Sequence, residues 1–143
     1  MKLETAHFGS IEINEADFID FPEGISGFET SKKYALIGQD VNESPFFWLQ
    51  SVDQPELCFV VTDPFMVYNS YGVDIDDEDI KLLHITDANS VLTLVIVVIP
   101  EDIEETRVNL KAPILINVEK KLGKQVIQKN DHLPVRYFLN QNS

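Results

Sequence analysis

The sequence predicts a mainly β fold, a small antiparallel β-barrel-like single domain over residues 1–143 with one or two short helices. Three observations predict it. Apolar residues recur with a period of two along most of the chain, which is typical of strands with one buried face. The candidate strands are rich in aromatic and β-branched residues. Turn-forming residues separate them at intervals of about eight to twelve, the spacing of all-β sandwiches and barrels.

The first half of the chain supplies most of the candidate strands. Ile11 and Ile13 alternate with Glu12 and Asn14, so we expect a strand with one apolar face there. Aromatic residues on the later strands are expected to pack in the core. Further strands are predicted at 18–21, 34–38, 46–52 and 57–62, with turns at 8–10, 22–24, 38–45, 53–55, 63–64 and 69–72.

The second half adds a central strand and a hairpin. VLTLVIVVI, residues 91–99, is apolar on both faces, so it is predicted to be a central strand that is covered on each side. ILINV (114–118) and QVIQK (125–129) flank EKKLGK, and Gly123 suits the turn of a hairpin between them. The C-terminal stretch from 130 is predicted to dock as an edge strand, with its last few residues frayed.

One segment has a helical pattern. In DIDDEDIKLLHI, residues 74–85, the acids come first, and Ile80 and Leu83 follow three apart. Asp76 or Asp77 could cap a short helix whose first-turn acids complement its dipole. A second short turn is expected at 28–34.

Residues 21–28, FPEGISGF, predict a structural corner. Pro22 cannot donate to a sheet, and Gly24 and Gly27 permit backbone angles that other residues resist. Ile25 and Phe28 are expected to pin the corner to the core.

The net charge of −13 limits the kind of partner. The excess lies in residues 1–100, which hold 18 acids and four bases, while residues 101–143 hold six acids and seven bases. Such a surface repels phosphate backbones, so direct binding to nucleic acid or an anionic membrane is disfavoured. The charge can serve solubility alone, or it can attract a basic protein partner. Composition does not separate these two interpretations.

The residues predict no catalytic, cofactor or metal site. From Asp74, an EF-hand loop would need glycine at its sixth position and glutamate at its twelfth, where the chain has Asp79 and Ile85. The three histidines are widely separated, and no serine lies in a G-x-S-x-G elbow. Gly24 to Gly27 has the G-x-x-G spacing of an RNA-clamping loop, but its acidic neighbours oppose phosphate.

The remaining signals indicate a cytoplasmic protein. Cys58, the one cysteine, excludes an intramolecular disulfide and is expected to be a small buried hydrophobe. The N-terminal MKLETAHFGS has no apolar signal core, and 91–99 is too short to span a bilayer as a helix.

Three long runs, taken together, resemble the FliW family of flagellar assembly factors. They are FPEGISGFE near the N-terminus, PFFWLQSVDQPELCFVVTDP in the middle and VNLKAPILINVEKKLGKQVI towards the end. They lie in family order and span most of residues 4–139. The resemblance implies a small barrel-like β fold with no catalytic activity and no cofactor.

The resemblance also implies two alternative protein partners. One is cytoplasmic flagellin, and the other is CsrA, a small basic dimeric regulator that binds flagellin messenger RNA and represses its translation. Members of the family are thought to antagonise CsrA allosterically, away from its RNA-contacting surface. Occupation by flagellin would release CsrA and restore repression, which couples flagellin translation to flagellar assembly.

The family supplies no motif of binding residues, so the predicted partner-binding residues rest on chemistry. DPFMVYNSY, residues 63–71, is predicted to be a loop whose crowded aromatic and Met side chains could form a binding patch or fold inward under the helix. Acids beside the middle run and the helix would meet a basic partner. The predicted set comprises acids Asp53, Glu56, Asp63, Asp76, Asp77 and Glu78 and apolar anchors Phe65, Met66 and Tyr68.

Two other classes of function remain open on the residues alone. A small-ligand or enzymatic barrel would require a deep pocket with convergent polar groups. A generic acidic assembly chaperone would bind many basic proteins rather than one.

Overall fold

Two short α-helices, three short 3₁₀-helices and eleven strands form the described part of the chain. The computed structural model describes residues 1–38, 45–68, 70–129 and 132–139. The strands are β1 (Lys2–Glu4), β2 (Ser10–Glu12), β3 (Ile19–Asp20), β4 (Lys33–Ile37), β5 (Phe46–Ser51), β6 (Cys58–Thr62), β7 (Val91–Val98), β8 (Arg107–Val108), β9 (Ile114–Asn117), β10 (Leu122–Gln125) and β11 (Tyr137–Phe138). The α-helices are α1 (Pro64–Val67) and α2 (Asp77–Leu82).

Seven of these strands close into a barrel. Their order is β7-β6-β5-β4-β3-β10-β9, and β9 pairs back onto β7 from Leu94↔Ile114 to Val91↔Asn117. Neighbours are antiparallel except β3 and β10, which run parallel over a single pair, Leu122↔Asp20. Strands β8 and β11 extend the sheet from the end of β7, and β1 pairs with β2 on the outside. The predicted antiparallel barrel with short helices is confirmed.

The barrel has two ends, which we name for use below. The corner end carries the chain between β3 and β4, the turn between β5 and β6, and the connection between β7 and β8. The far end carries Gly38, Pro45, the start of α1 and the turn between β9 and β10.

Apolar side chains fill the barrel and also cover its outer wall. The interior holds Phe21, Tyr34, Leu49, Leu94 and Ile116, each 0 or 1% exposed. On the outer wall, separate apolar clusters lie under β1 and β2, under α2, and under the segment that follows β6. Strand β7 contributes Leu94 inward and Val95 outward, so the predicted central strand with two covered faces is confirmed.

The hairpin of β9 and β10 differs from the prediction. Its turn lies at residues 118–121, where Lys121 adopts φ 57°, and Gly123 lies inside β10 opposite Ile116. A Cβ at Gly123 would come within 2.7 Å of Cε1 and Cε2 of Phe21, so the glycine makes room for that ring. The strand predicted at 125–129 therefore lies at Leu122–Gln125. The sequence-based prediction was wrong because it gave the glycine a turn role rather than a packing role.

The corner at residues 21–28 forms as predicted, with one exception. Gly24 has φ 70°, and a Cβ there would lie 2.6 Å from the Cα of Glu29. Phe21 and Ile25 are buried at 0 and 1% exposure. Phe28, expected to be pinned in the core, is instead 41% exposed and packs edge-to-face on Phe59, with 5.2 Å between ring centroids.

The C-terminal prediction is confirmed as far as the structure describes it. β11 pairs with β8 through Tyr137↔Val108 and Phe138↔Arg107 and is an outer strand of the sheet. The predicted fraying concerns residues 140–143, which lie outside the described residues, as does 39–44 within the predicted turn at 38–45.

Candidate protein-binding surface

Helix α1 presents two apolar side chains to solvent at the far end. Asp63 begins it, because the Asp63 Oδ1 accepts the N–H of Phe65 at 2.9 Å and Pro64 occupies the first turn. Phe65 is 50% exposed and Met66 is 70% exposed. The prediction of a loop here was wrong, since Asp63 and Pro64 are a helix-start signal that the short length of the helix concealed.

A cluster of tyrosines fixes α1 to the outer wall. The ring of Tyr68 lies edge-to-face on Tyr137 at 5.2 Å, and Phe65 lies 5.5 Å from Tyr71. The hydroxyl of Tyr71 donates to the carbonyl of Leu110 at 2.8 Å, and burial raises the pKa of Tyr71 to about 12. Tyr68, predicted as an apolar anchor, is half-buried, with its ring against those of Tyr71 and Tyr137.

Helix α2 presents acids to solvent at its N-terminus. The Oδ1 of Asp76 accepts the N–H of Asp79 at 3.0 Å, so Asp76 is the predicted N-cap. That backbone hydrogen bond holds the pKa of Asp76 below its ordinary value. Asp77 and Glu78 are exposed.

Asp79 differs from the other acids of this helix because it is buried. Its carboxylate pairs with the ammonium of Lys124 on β10, which also lies 3.6 Å from Glu23 in the corner. The hydrogen bond to Asp79 is the largest cause that raises the pKa of Lys124. The pair ties α2, β10 and the corner together. Sequence reasoning missed it, because 45 residues separate the partners.

Gln128 anchors the segment that leads into α2. The side-chain oxygen of this buried glutamine accepts the N–H of Asp74 at 2.8 Å, and its side-chain nitrogen donates to the carbonyl of Asp74 at 3.2 Å. The amide thus pairs with the backbone as a neighbouring strand would. Gln128 was also missed, and no local sequence pattern marks it.

Two depressions flank α2. One is an open groove of about 550 Å³, mostly apolar, which runs from Phe65 past Ile80 and Ile85 to Val91. The other, of about 380 Å³, lies between Asp76, Glu78 and the exposed Ile127, and it also contains Lys124 and Lys129. Ile75 lines both, so the apolar groove and the charged depression form one continuous surface around α2.

The predicted residues do not all meet on this surface. Asp63, Phe65 and Met66 lie at the far end beside the groove, and Asp76, Asp77 and Glu78 lie at the start of α2. Asp53 and Glu56 lie in the turn at the corner end. The five residues of β6 separate them from Asp63, a span of about 17 Å at about 3.3 Å per residue.

Other chemistry has little support in the described residues. They contain no cluster of three or more His, Cys, Asp or Glu side chains that could hold a metal ion. Cys58, predicted to be buried, is half-buried, and this partial burial raises the pKa of its thiol to about 11. None of the helices in the described part of the chain has the length and apolarity that a membrane crossing requires.

Comparisons with known proteins agree along nearly the whole chain. The family model described as FliW protein matches residues 2–139. The chain is 46% identical to a flagellar assembly factor FliW of Caldicellulosiruptor bescii over 135 residues, which cover 94% of this chain and 88% of that protein. It is 47% identical to one of Caldanaerobacter subterraneus subsp. tengcongensis over 137 residues, covering 96% and 91%. A crystal structure of a flagellar assembly factor FliW superposes with a TM-score of 0.90 at 40% identity, covering 97% of this chain and 96% of the other.

Proposed function

This chain belongs to the FliW family, and on that premise we propose that it binds and allosterically antagonises the translational regulator CsrA and, alternatively, binds cytoplasmic flagellin. Binding of flagellin would free CsrA to repress, so that flagellin translation follows flagellar assembly. The protein would act in the cytoplasm, as a binding protein without catalysis or cofactor. Membership of the family is the observation that carries the proposal, and the following features support it.

The charge supports a basic protein partner. A chain with a net charge of −13 attracts a basic regulator at long range and repels the RNA which that regulator binds. Such attraction mainly raises the association rate and weakens as salt screens it, over a Debye length of about 10 Å at 0.1 M. We therefore expect the affinity for CsrA to fall as salt rises.

The groove beside α2 supports an apolar contribution. Phe65 and Met66 are exposed, and the tyrosine cluster holds α1 in place, so they can bury against a partner with little ordering cost. Asp77 and Glu78 lie at the start of the helix that forms one wall of this groove. We assign partner binding to this surface around α2.

Binding to purified CsrA and to purified flagellin tests the proposal. Calorimetry at low and at raised salt, with micromolar protein, would measure both affinities, and a pull-down with both partners would show whether they compete. If neither partner binds at low salt, the proposed function is wrong.

Matched variants test the assignment to the surface around α2. Phe65→Ser with Met66→Ser should weaken binding about thirtyfold or more, since buried apolar anchors at interfaces contribute roughly 1 to 2 kcal/mol each. Ile103→Ser is the control, because Ile103 is 73% exposed on the connection between β7 and β8. Equal effects of the two changes would contradict the assignment to this surface, but they would not contradict binding to CsrA and flagellin.

A ligand-binding barrel has less support. Phe21, Tyr34, Leu49, Leu94 and Ile116 fill the interior at 0 or 1% exposure. The depression between Ile19, Leu36 and Ile116 at the far end of the barrel is about 280 Å³, below the roughly 300–1,000 Å³ of ligand pockets. A generic acidic chaperone would differ in specificity. Asp77→Lys with Glu78→Lys would then weaken binding to lysozyme, an unrelated basic protein, as much as binding to CsrA.

A further inference from the structure

The corner end of the barrel carries an exposed apolar patch that the surface around α2 does not include. It consists of Phe28, Phe59 and Val98, which we call the Phe28 mouth. Phe28 and Val98 are 41 and 43% exposed, and the ring of Phe59 lies 5.2 Å from that of Phe28. Large aliphatic and aromatic groups grouped in this way are typical of interaction sites.

The fold brings these residues together from three chain segments. The last paired position of β6 and β7 at this end is Val60↔Val97, so the same register places Phe59 opposite Val98. The corner reaches the neighbouring turn through the N–H of Lys32, which donates to Asp53 Oδ2 at 3.0 Å. The Phe28 mouth is thus supported by hydrogen-bonded loops on a packed barrel.

Three carboxylates lie on the chain segments that form the Phe28 mouth. Glu29 follows Phe28 directly, and its Oε2 accepts the N–H of Gly27 at 3.1 Å, which holds its pKa below the ordinary value. Glu56 lies in the turn before β6, and Glu101 lies three residues beyond Val98, within about 11 Å of chain. All three are exposed, and none forms an ion pair with a residue in the described ranges. The ammonium of Lys32 donates to the carbonyl of Pro22 at 3.2 Å, and its charge also contributes to lowering the pKa of Glu29.

We propose that the Phe28 mouth docks a protein segment that carries one or two apolar side chains flanked by lysine or arginine. The apolar side chains would cover Phe28 and Val98, and the basic side chains would meet Glu29, Glu56 and Glu101. A second copy of this chain fits less well, because a two-fold contact would bring the same acidic rims together. Phosphate-bearing ligands are repelled by the same charges.

The proposal goes beyond the function assigned to the surface around α2 and does not depend on it. Phe65 and Met66 lie at the far end of the barrel, separated from the Phe28 mouth by the length of β6. One molecule can therefore hold a partner at α1 and a second segment at the Phe28 mouth. Asp53 and Glu56, which lie apart from the other predicted residues, are at the same end of the barrel as the Phe28 mouth.

A peptide titration of the isotope-labelled full chain tests the proposal by NMR. The probe is the peptide Lys-Lys-Leu-Lys-Leu-Lys-Lys, compared with the same peptide with serine in place of both leucines. The leucine peptide should shift the backbone amides of Phe28, Phe59 and Val98 and bind at least threefold more tightly than the serine peptide. Shifts confined to α2, equal affinities, or no binding by either peptide would overturn the proposal. The assay contains neither CsrA nor flagellin, so its failure is distinct from failure of the proposed function.

Two matched pairs of variants separate this site from general attraction. Phe28→Ala should abolish the preference for leucine, while Phe8→Ala should retain it. Phe8 is a matched control because it is 40% exposed and its ring lies edge-to-face on that of Trp48, with 5.0 Å between centroids, away from the corner. Glu56→Lys should weaken the leucine peptide about fivefold, and Glu15→Lys, with the same charge change towards the far end, less than twofold. Circular dichroism checks that each variant is folded. Equal effects within either pair would overturn the proposal.

Discussion

Replacing Gly123 by alanine tests the packing of the barrel interior. Gly123 does not have a positive φ, so alanine fits the backbone and the effect comes from space alone. The new Cβ would lie 2.7 Å from Cε1 and Cε2 of Phe21, whereas carbon atoms pack best about 3.5–4.0 Å apart. The ring would have to withdraw by about 1 Å, yet Phe21 is fully buried and lies edge-to-face on Tyr34 at 5.1 Å.

The expected loss is at the upper end of overpacking costs. An extra methyl group in a packed core lowers the free energy of unfolding by about 1–3 kcal/mol. Because the Phe21 ring cannot withdraw, we expect a loss of about 3 kcal/mol here. For a chain of this length that loss lowers the melting temperature by about 10 °C. Urea unfolding followed by the fluorescence of Trp48, the one tryptophan, gives the free energy of unfolding.

Two further variants make the test specific. Gly72→Ala is the control, because nothing lies within 4 Å of a Cβ there, and it should change stability by less than about 1 kcal/mol. Phe21→Leu combined with Gly123→Ala should cost less than the sum of the single changes, since the smaller side chain leaves room for the methyl group. A Gly123→Ala protein as stable as the control would refute the assigned packing role.

Three shorter tests address individual groups. Lys124→Met leaves the buried carboxylate of Asp79 unpaired. It should lower the free energy of unfolding, measured by urea titration at pH 7, by about 2–4 kcal/mol. A loss below about 0.5 kcal/mol would contradict the pairing. Because the pKa of Lys124 is raised on folding, its contribution is complete below about pH 10.5 and is lost as pH rises through the folded value, so wild type should converge on Lys124→Met only in strong base. Asp76→Ala should cost about 1 kcal/mol and Asp76→Asn much less, since asparagine keeps the capping acceptor, and equal losses would exclude the cap as the cause. Cys58, with its pKa raised to about 11, should react with a disulfide reagent at pH 7.5 far more slowly in the folded than in the urea-unfolded protein, and equal rates would show that it is not protected.

Local sequence patterns predicted the elements that are buried on both faces or that are stabilised by contacts between residues close in the sequence. The two-faced apolar run of β7 could only be a covered strand, and Asp76 caps α2 through a hydrogen bond to a residue three positions on. Runs rich in aromatic and β-branched residues marked β4 to β6. In each case neighbouring residues carry the signal, so distant contacts were not needed.

The side-chain contacts at the candidate surface were not predicted, because they join residues that are distant in the sequence. From the sequence, Tyr68 is predicted to be exposed and Asp79 to be a surface acid, whereas in the structure Tyr68 packs on Tyr137 and Asp79 pairs with Lys124. Phe28 is predicted to be a core residue, whereas the corner places it over Phe59 at the surface. Sequence spacing does not say which of these long-range partners meet.

The sequence by itself determined the class of fold, the family and the acidic character that favours a basic partner, because period, length and charge are properties of the chain. The tertiary structure alone decided that Gly123 faces Phe21 and that Phe28 packs on Phe59. The physical reason is barrel closure. Pairing β7 with β9 fixes register between segments about twenty residues apart, and that register determines which side chains share a surface.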